Sequence, residues 1–291
     1  MSIKLIAIDL DGTLLSGHSY VNEVNASAIR AAQQEGIIVS IATGRAHHNV
    51  RDILKPTGLV TPVISSNGSV IHDDESQHLF SLPLERQQAM EVLDWLEKGN
   101  YYYQAHTSKG IYTISNGHQR LAVEVDRLLS TNPDPTLIKM LEAMQSHGAQ
   151  VQLIRVSSHY DIPDEADFYN ILALSLDPDK LEAGRLHFAE RDDMTMVVSG
   201  SHNFEMEHKE ASKGNALKHL AAHYGIAMED TMAIGDNFND VSMITMAGKG
   251  IAMGNAEPEV QAIADEVTRT NEEDGVAHAI YRALGMNIPL S

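Results

Sequence analysis

The chain has 291 residues, which at roughly 150 residues per domain suggests two domains. Lys and Arg number 21 against 40 Asp and Glu, a formal net charge of −19, while 43% of residues are hydrophobic and 21% charged. This mix excludes a disordered chain, the absence of cysteine excludes disulfides, zinc–thiolate sites and a cysteine nucleophile, and the acidity argues against a nucleic-acid or anionic-membrane partner, both of which want Lys and Arg.

The first residues, Met1 to Asp9, lack the plan of a signal peptide, and no apolar run approaches bilayer length, so a cytoplasmic protein is expected. Lys4 to Leu10 is an Ile-rich run that predicts a buried parallel strand ending at Asp11-Gly12. Asn25 to Glu35 predicts a helix closed by Gly36. Ile37 to Ala42 predicts a second strand, ending at Thr43-Gly44-Arg45, and His47 to Lys55 a second helix. Val60 to Ser65 predicts a third strand, ending at Ser66-Asn67-Gly68. This rhythm indicates an α/β fold with a Rossmann-like parallel sheet.

Beyond about residue 83 the rhythm changes. Helices are predicted over 84–98, 118–130, 135–147 and 179–190, and strands over 101–105, 110–115, 151–156, 168–176, 194–199 and 204–208. Leu121, Val125, Leu128 and Leu129 form a helical stripe, and the last two strands fit a hairpin turned by 200–203. This segment reads as an α+β module. After about residue 210 the βα rhythm returns with a helix from Lys213 to Tyr224, a strand from Thr231 to Ile234 ending at Gly235-Asp236, and a strand from Gly250 to Met253 ending at Gly254-Asn255. The expected organisation is one discontinuous α/β domain, 1–83 with 209–291, holding an inserted module at 84–208.

Four polar clusters fall at the carboxyl ends of predicted strands: Asp9/Asp11, Thr43-Gly44-Arg45, Ser66-Asn67-Gly68 and Asp236 to Asp240. That edge of an open parallel sheet is where ligands bind. Asp9 and Asp11 are two apart on a strand and share a face. Such carboxylates suit a hard cation such as Mg²⁺, and one beside it can serve as a nucleophile. Read blandly, Asp-x-Asp-Gly is a turn. Asp236 at a strand tip could complete a metal site, with Asn239 and Asp240 as outer partners; the bland reading is a capped, solvated turn. Thr43-Gly44-Arg45 offers a hydroxyl, backbone donors and a guanidinium to a phosphate, or is an ordinary Thr cap with a surface Arg. Lys213 at a helix start opposes the helix dipole, which suggests a function or else a surface lysine.

Together, Asp9-Leu10-Asp11-Gly12-Thr13-Leu14, Thr43, Lys213 and Gly235-Asp236-Asn237-Phe238-Asn239-Asp240 resemble the four ordered motifs of the haloacid dehalogenase (HAD) superfamily, at its phosphatase branch. Ile41 to Arg45, Ser66-Asn67-Gly68, Ala211-Ser212-Lys213-Gly214 and Thr270-Asn271 with Asp274 to Ala277 look like its Cof-type subgroup, in which a large α+β cap lies between the second and third motifs. The resemblance implies that Asp9 attacks phosphorus and forms an aspartyl-phosphate, and that Asp11 serves as acid and base. It implies that Mg²⁺ is held by Asp9, the Asp11 carbonyl and Asp236, with Asp240 in the metal's acidic set. Thr43, Lys213 and the amides near Leu10 and Asp11 would hold the phosphoryl oxygens, with Gly44, Arg45 and Asn239 also facing the phosphate. The second acid, Asp11, favours phosphate-ester hydrolysis over dehalogenation.

The fifteen histidines carry no metal-binding spacing, and His47 at most lines the pocket. The thirteen methionines read as core filler, and Tyr101-Tyr102-Tyr103 as packing. The expectation is therefore a Mg²⁺-dependent phosphatase of a small phosphorylated metabolite, most plausibly a sugar phosphate, acting as a monomer or homodimer. The cap would close over the site and set specificity. Its rivals are a phosphomutase of the same superfamily and a non-catalytic phosphometabolite-binding regulator.

Overall fold

The computed structural model describes residues 2–17, 20–131, 136–142 and 152–286. They fall into two compact units, Met1–Ser81 with Ala211–Ser291, and Leu82–Glu210.

The first unit is an eight-stranded sheet in the order β14-β13-β12-β1-β2-β3-β4-β5. Its parallel centre comprises β1 (Leu5–Ile8), β2 (Ile38–Ala42), β3 (Val63–Ser65), β12 (Thr231–Gly235) and β13 (Lys249–Ala252), with β14 (Glu266–Val267) at one edge. β4 (Val70–His72) and β5 (His78–Ser81) extend the other edge antiparallel. The apolar runs are continuous because both faces of the sheet are covered. Ile6, Ile8, Val39 and Ile41 enter one buried layer, shared with Ala28 and Ile29 of α1 (Glu23–Gln34) and Ile280 of α9 (Gly275–Leu284). Leu5, Ala7 and Ile64 enter the opposite layer with Leu217 and Leu220 of α6 (Lys213–His223) and Met243 of α7 (Val241–Met246).

α1 starts two residues earlier than its apolar spacing suggested, because Asn22 caps it by accepting from the Asn25 amide, and it ends at Gln34 with Gly36 in the left-handed region beyond. α2 (His47–Leu54) is capped at Ala46 without a side-chain bond, so Thr43 is not its cap. β4, β5, α7, α8 (Pro258–Ile263) and α9 were not anticipated.

The second unit is a six-stranded sheet, ordered β10-β11-β9-β6-β7-β8 and antiparallel except between β7 and β8. Its strands are β6 (Tyr102–Thr107), β7 (Gly110–Ile114), β8 (Leu153–Val156), β9 (Phe168–Leu174), β10 (Met194–Val197) and β11 (Asn203–His208), and β10 and β11 form the expected hairpin. Tyr103, Ala105, Ile171, Ala173, Phe204 and Met206 share a buried face with α3 (Arg86–Lys98) and α5 (Pro178–Ala189). α4 (Gly117–Thr131) carries the Leu121 and Val125 stripe. Of the helix expected over 135–147, residues 136–142 are helical and the rest lies outside the described residues. All three tyrosines of 101–103 are buried, as packing requires. No helix among the described residues is long and apolar enough to cross a membrane.

α6 presents Lys213 at its first turn, and Ser212 caps that turn by accepting from the Asn215 amide at 3.1 Å. Ser212→Ala should cost about 1 kcal/mol of stability in urea unfolding, with Ser212→Thr retaining most of it.

Candidate active site

β1, β2, β3 and β12 run parallel, so their carboxyl ends share one edge. Asp9 follows β1, Thr43 follows β2, Ser66 follows β3 and Asp236 follows β12. β1 lies between β2 and β12, the point at which strand order reverses, which is where an open sheet leaves a crevice.

Lys213 is fully buried, contrary to the surface-lysine alternative, and donates to Asp9 Oδ1 and to Asp240 Oδ1, each at 2.6 Å. A buried ammonium at a helix N-terminus is tolerated only when paired, and two carboxylates pair it here. Burial alone would lower its pKa, but Asp240 and Asp9 outweigh burial and hold the ammonium above its ordinary value.

Asp240 is also fully buried. Its second oxygen, Oδ2, accepts from the backbone amides of Asp236 at 2.9 Å and Asn237 at 3.0 Å. Both of its oxygens are thus engaged, which makes it a brace for the loop and for Lys213. Asp236 is oriented by the Thr13 hydroxyl, which donates to its Oδ1 at 2.7 Å. One carboxylate oxygen from each of Asp9, Asp236 and Asp240 lies within 4.8 Å of the others.

This packing of negative charge shows in the titration of the cluster. Burial pushes the Asp9 carboxyl well above the usual carboxylate range, Asp240 adds to the push, and Lys213 opposes it. Burial and then Asp240 push Asp236 up to about 6. An all-oxygen, anion-rich set of this kind fits a hard divalent cation.

Asp11 stands apart from this cluster. Its carboxylate takes a two-pronged bond from Arg45, Nε to Oδ2 at 2.8 Å and an NH₂ nitrogen to Oδ1 at 2.6 Å. The Arg45 guanidinium, expected at a phosphate, is therefore engaged by Asp11 in this structure. Leu10 is buried and opens the tight Leu10–Leu14 turn, in which the Leu15 amide donates to the Leu10 carbonyl at 3.0 Å. Thr43 is buried, and its hydroxyl accepts from the Arg45 amide at 3.2 Å. The Asn239 side chain donates to Asn67 Oδ1 at 3.1 Å, and that same oxygen lies close over Gly44.

Three contributors were named in the sequence only as parts of motifs or strand ends, with no role of their own. Thr13 orients Asp236. Asn255, just past β13, donates to the Gly12 carbonyl at 2.8 Å. Asn67 joins Asn239 to Gly44. The signal for Asn255 was its place at a strand end, where the other polar groups also fall. His47 stacks on His72 with ring centroids 4.0 Å apart and accepts from Arg51 at 3.1 Å, and burial followed by His72 holds its pKa down at about 4. That is a packing role.

A family model described as haloacid dehalogenase-like hydrolase matches residues 6–280. Phosphatase YwpJ of Bacillus subtilis is 45% identical over 97% of this chain and 100% of its own. 5-amino-6-(5-phospho-D-ribitylamino)uracil phosphatase YwtE of B. subtilis is 33% identical over 97% and 98%. A solved structure of a haloacid dehalogenase-like hydrolase from B. subtilis matches with a TM-score of 0.84 and 46% identity over 96% of this chain and 99% of that one.

Lys213→Met leaves Asp9 and Asp240 buried without their cation and should cost about 3–5 kcal/mol of stability, measured by urea unfolding at neutral pH. A loss under about 1 kcal/mol, the usual value of an exposed ion pair, would contradict the buried pairing described above.

Proposed function

Since the chain belongs to the haloacid dehalogenase-like hydrolases, in the Cof-type subgroup, and is a phosphatase, we propose that it hydrolyses a small phosphorylated metabolite through an aspartyl-phosphate on Asp9 and that it depends on Mg²⁺. The observation that carries this reading is the buried Lys213 between Asp9 and Asp240, with Asp236 alongside.

In the proposed reaction an Asp9 carboxylate oxygen attacks phosphorus in line. The bond from phosphorus to the leaving oxygen breaks, and Asp11 gives that oxygen a proton. Asp11 then takes a proton from the water that attacks the acyl phosphate, which returns Asp9 as carboxylate and releases inorganic phosphate. Thr43, Lys213, Asn239 and backbone amides near Leu10, Asp11 and Gly44 hold the phosphoryl oxygens. Lys213 has three N–H donors, two of them committed to carboxylates, which leaves one for the substrate. Arg45 reaches the phosphate by exchanging Asp11 for a phosphoryl oxygen, and Asp11 is freed for the leaving group.

Mg²⁺ would be held by Asp9, the Asp11 carbonyl and Asp236, braced by Asp240, and when bound it neutralises the charge of the phosphate and orients it. The carboxylate set supports this, because three anions against one ammonium leave a deficit of positive charge.

A sugar or polyol phosphate is the substrate class we favour. The relative YwtE is named for a ribityl phosphate, a phosphorylated polyol. Residues 84–208 form the proposed specificity module, and 1–83 with 209–291 the catalytic core.

Asp9→Asn should lower phosphate release by at least about 10³-fold, since it removes the nucleophile. EDTA should abolish release and added Mg²⁺ should restore it. Assays over sugar phosphates, nucleotides, FMN and pyridoxal phosphate would check this, and near-normal turnover by Asp9→Asn would overturn the mechanism.

A further inference from the structure

Ser66-Asn67-Gly68, a strand-end cluster to which the reaction above gives no work, holds three successive residues at positive φ, 47°, 51° and 107°. Two of these are not glycine, and such a run survives only where the surroundings over-determine it. Between them, the residues of the loop touch three parts of the phosphate-binding machinery. The Ser66 amide donates to the Arg45 carbonyl at 3.1 Å and the Asn67 amide to the Thr43 carbonyl at 3.0 Å, which ties down the outward side of the Thr43–Arg45 loop. The Gly68 Cα rests on the start of α6, where a Cβ would sit 2.2 Å from the Ser212 carbonyl oxygen, one residue before Lys213. The Asn67 side chain reaches the third part: its Oδ1 accepts from Asn239 Nδ2.

That last bond has a chemical consequence. An Asn amide can present its NH₂ or its carbonyl to a ligand, and only the NH₂ attracts a phosphoryl oxygen. By accepting one N–H of Asn239, Asn67 fixes which end is the donor and leaves the second N–H for the substrate. The same Asn67 oxygen would meet a Cβ at position 44 at 2.9 Å, so it also sets the height of the Gly44 backbone. Asn is the side chain that combines tolerance of the left-handed region with an amide oxygen.

We propose that Asn67 is a positioning residue that registers the Thr43–Arg45 loop and the Asn239 amide onto one phosphoryl group. It touches none of the reacting atoms in this scheme and acts through Asn239 and Gly44. The proposal rests on the phosphatase reading above and adds to it that two phosphoryl-binding loops, those of Thr43–Arg45 and Asn239, are coupled through one side chain.

Asn67→Ala places a Cβ-bearing residue without a polar side chain in the left-handed region and can simply fail to fold. Asn67→Gly keeps that backbone and removes only the amide, so it is the informative variant. It should melt within about 4 °C of the unaltered chain. Its kcat/KM should fall about 10-fold, within the range that slight misplacement of binding groups produces. The fall should be equal for p-nitrophenyl phosphate and for a sugar phosphate, and the inhibition constant of inorganic phosphate should rise in step. Combined with Asn239→Ala, the losses should be clearly less than multiplicative, because both variants break one bond.

Unchanged kinetics in Asn67→Gly would overturn the proposal. So would losses that multiply independently with Asn239→Ala, and so would a loss confined to one ester, which would place Asn67 on the leaving group. If the unaltered chain released no phosphate from any ester, the phosphatase reading itself would fall. An active chain indifferent to Asn67→Gly would sink the positioning role alone.

Discussion

The ammonium of Lys213, buried between Asp9 and Asp240, is the constraint around which the catalytic unit is arranged. It joins the end of β1, the loop after β12 and the first turn of α6, segments 204 and 27 residues from Lys213 along the chain. A lysine in that position is unfavourable on each local count: it is desolvated and it sits at the positive end of a helix. Two carboxylates reverse the balance, and Asp240 is in turn satisfied by the amides of Asp236 and Asn237. Removing any member therefore exposes the others to the cost of burial, so the loop geometry is fixed as a unit.

The cluster is nevertheless not neutral. Asp9, Asp236 and Asp240 contribute −3 and Lys213 +1 on ordinary charge states, a sum of −2. Burial first, and the charge of Asp240 second, raise the pKa values of Asp9 and Asp236. The charge sum has the sign and size that a divalent cation would offset, which is the physical content of the proposed Mg²⁺ dependence. The global charge of −19 and the local requirement of a phosphate are thus compatible. The acidity of the surface bears on polyanionic partners, whereas the site would owe its affinity for a phosphate to a bound cation, Lys213 and Arg45.

The parallel strands were legible because a sheet covered on both faces leaves unbroken apolar runs, and the polar residues that end them are punctuation. Lys213 was legible as a misfit, a cation at the wrong end of a helix. What escaped has a common cause. β4 and β5 are only three and four residues long and carry His72 and His78, and β5 is only partly buried, so neither period nor composition distinguishes them from a loop. The bonds from Thr13 to Asp236 and from Asn239 to Asn67 span 223 and 172 residues, and nothing in the local sequence encodes such a partner. Arg45 was assigned to a phosphate from its residue type, its place beside Thr43-Gly44 at a strand end and the family resemblance. In this structure Asp11 takes the same two-pronged geometry that a phosphate would offer.

That competition gives the pair a mechanistic sense. Asp11 and a phosphate are both anions that fit the fork of one guanidinium, and only one can occupy it fully. An Asp11 bonded to Arg45 has both carboxylate oxygens accepting from the guanidinium, so neither is free to serve a leaving group. When a phosphate arrives, the same event that places negative charge against Arg45 removes the cation from Asp11. The acid would then be set free only when there is an ester for it to protonate. The two residues are 34 apart and sit at the ends of adjacent parallel strands, which brings them together without either loop having to be long.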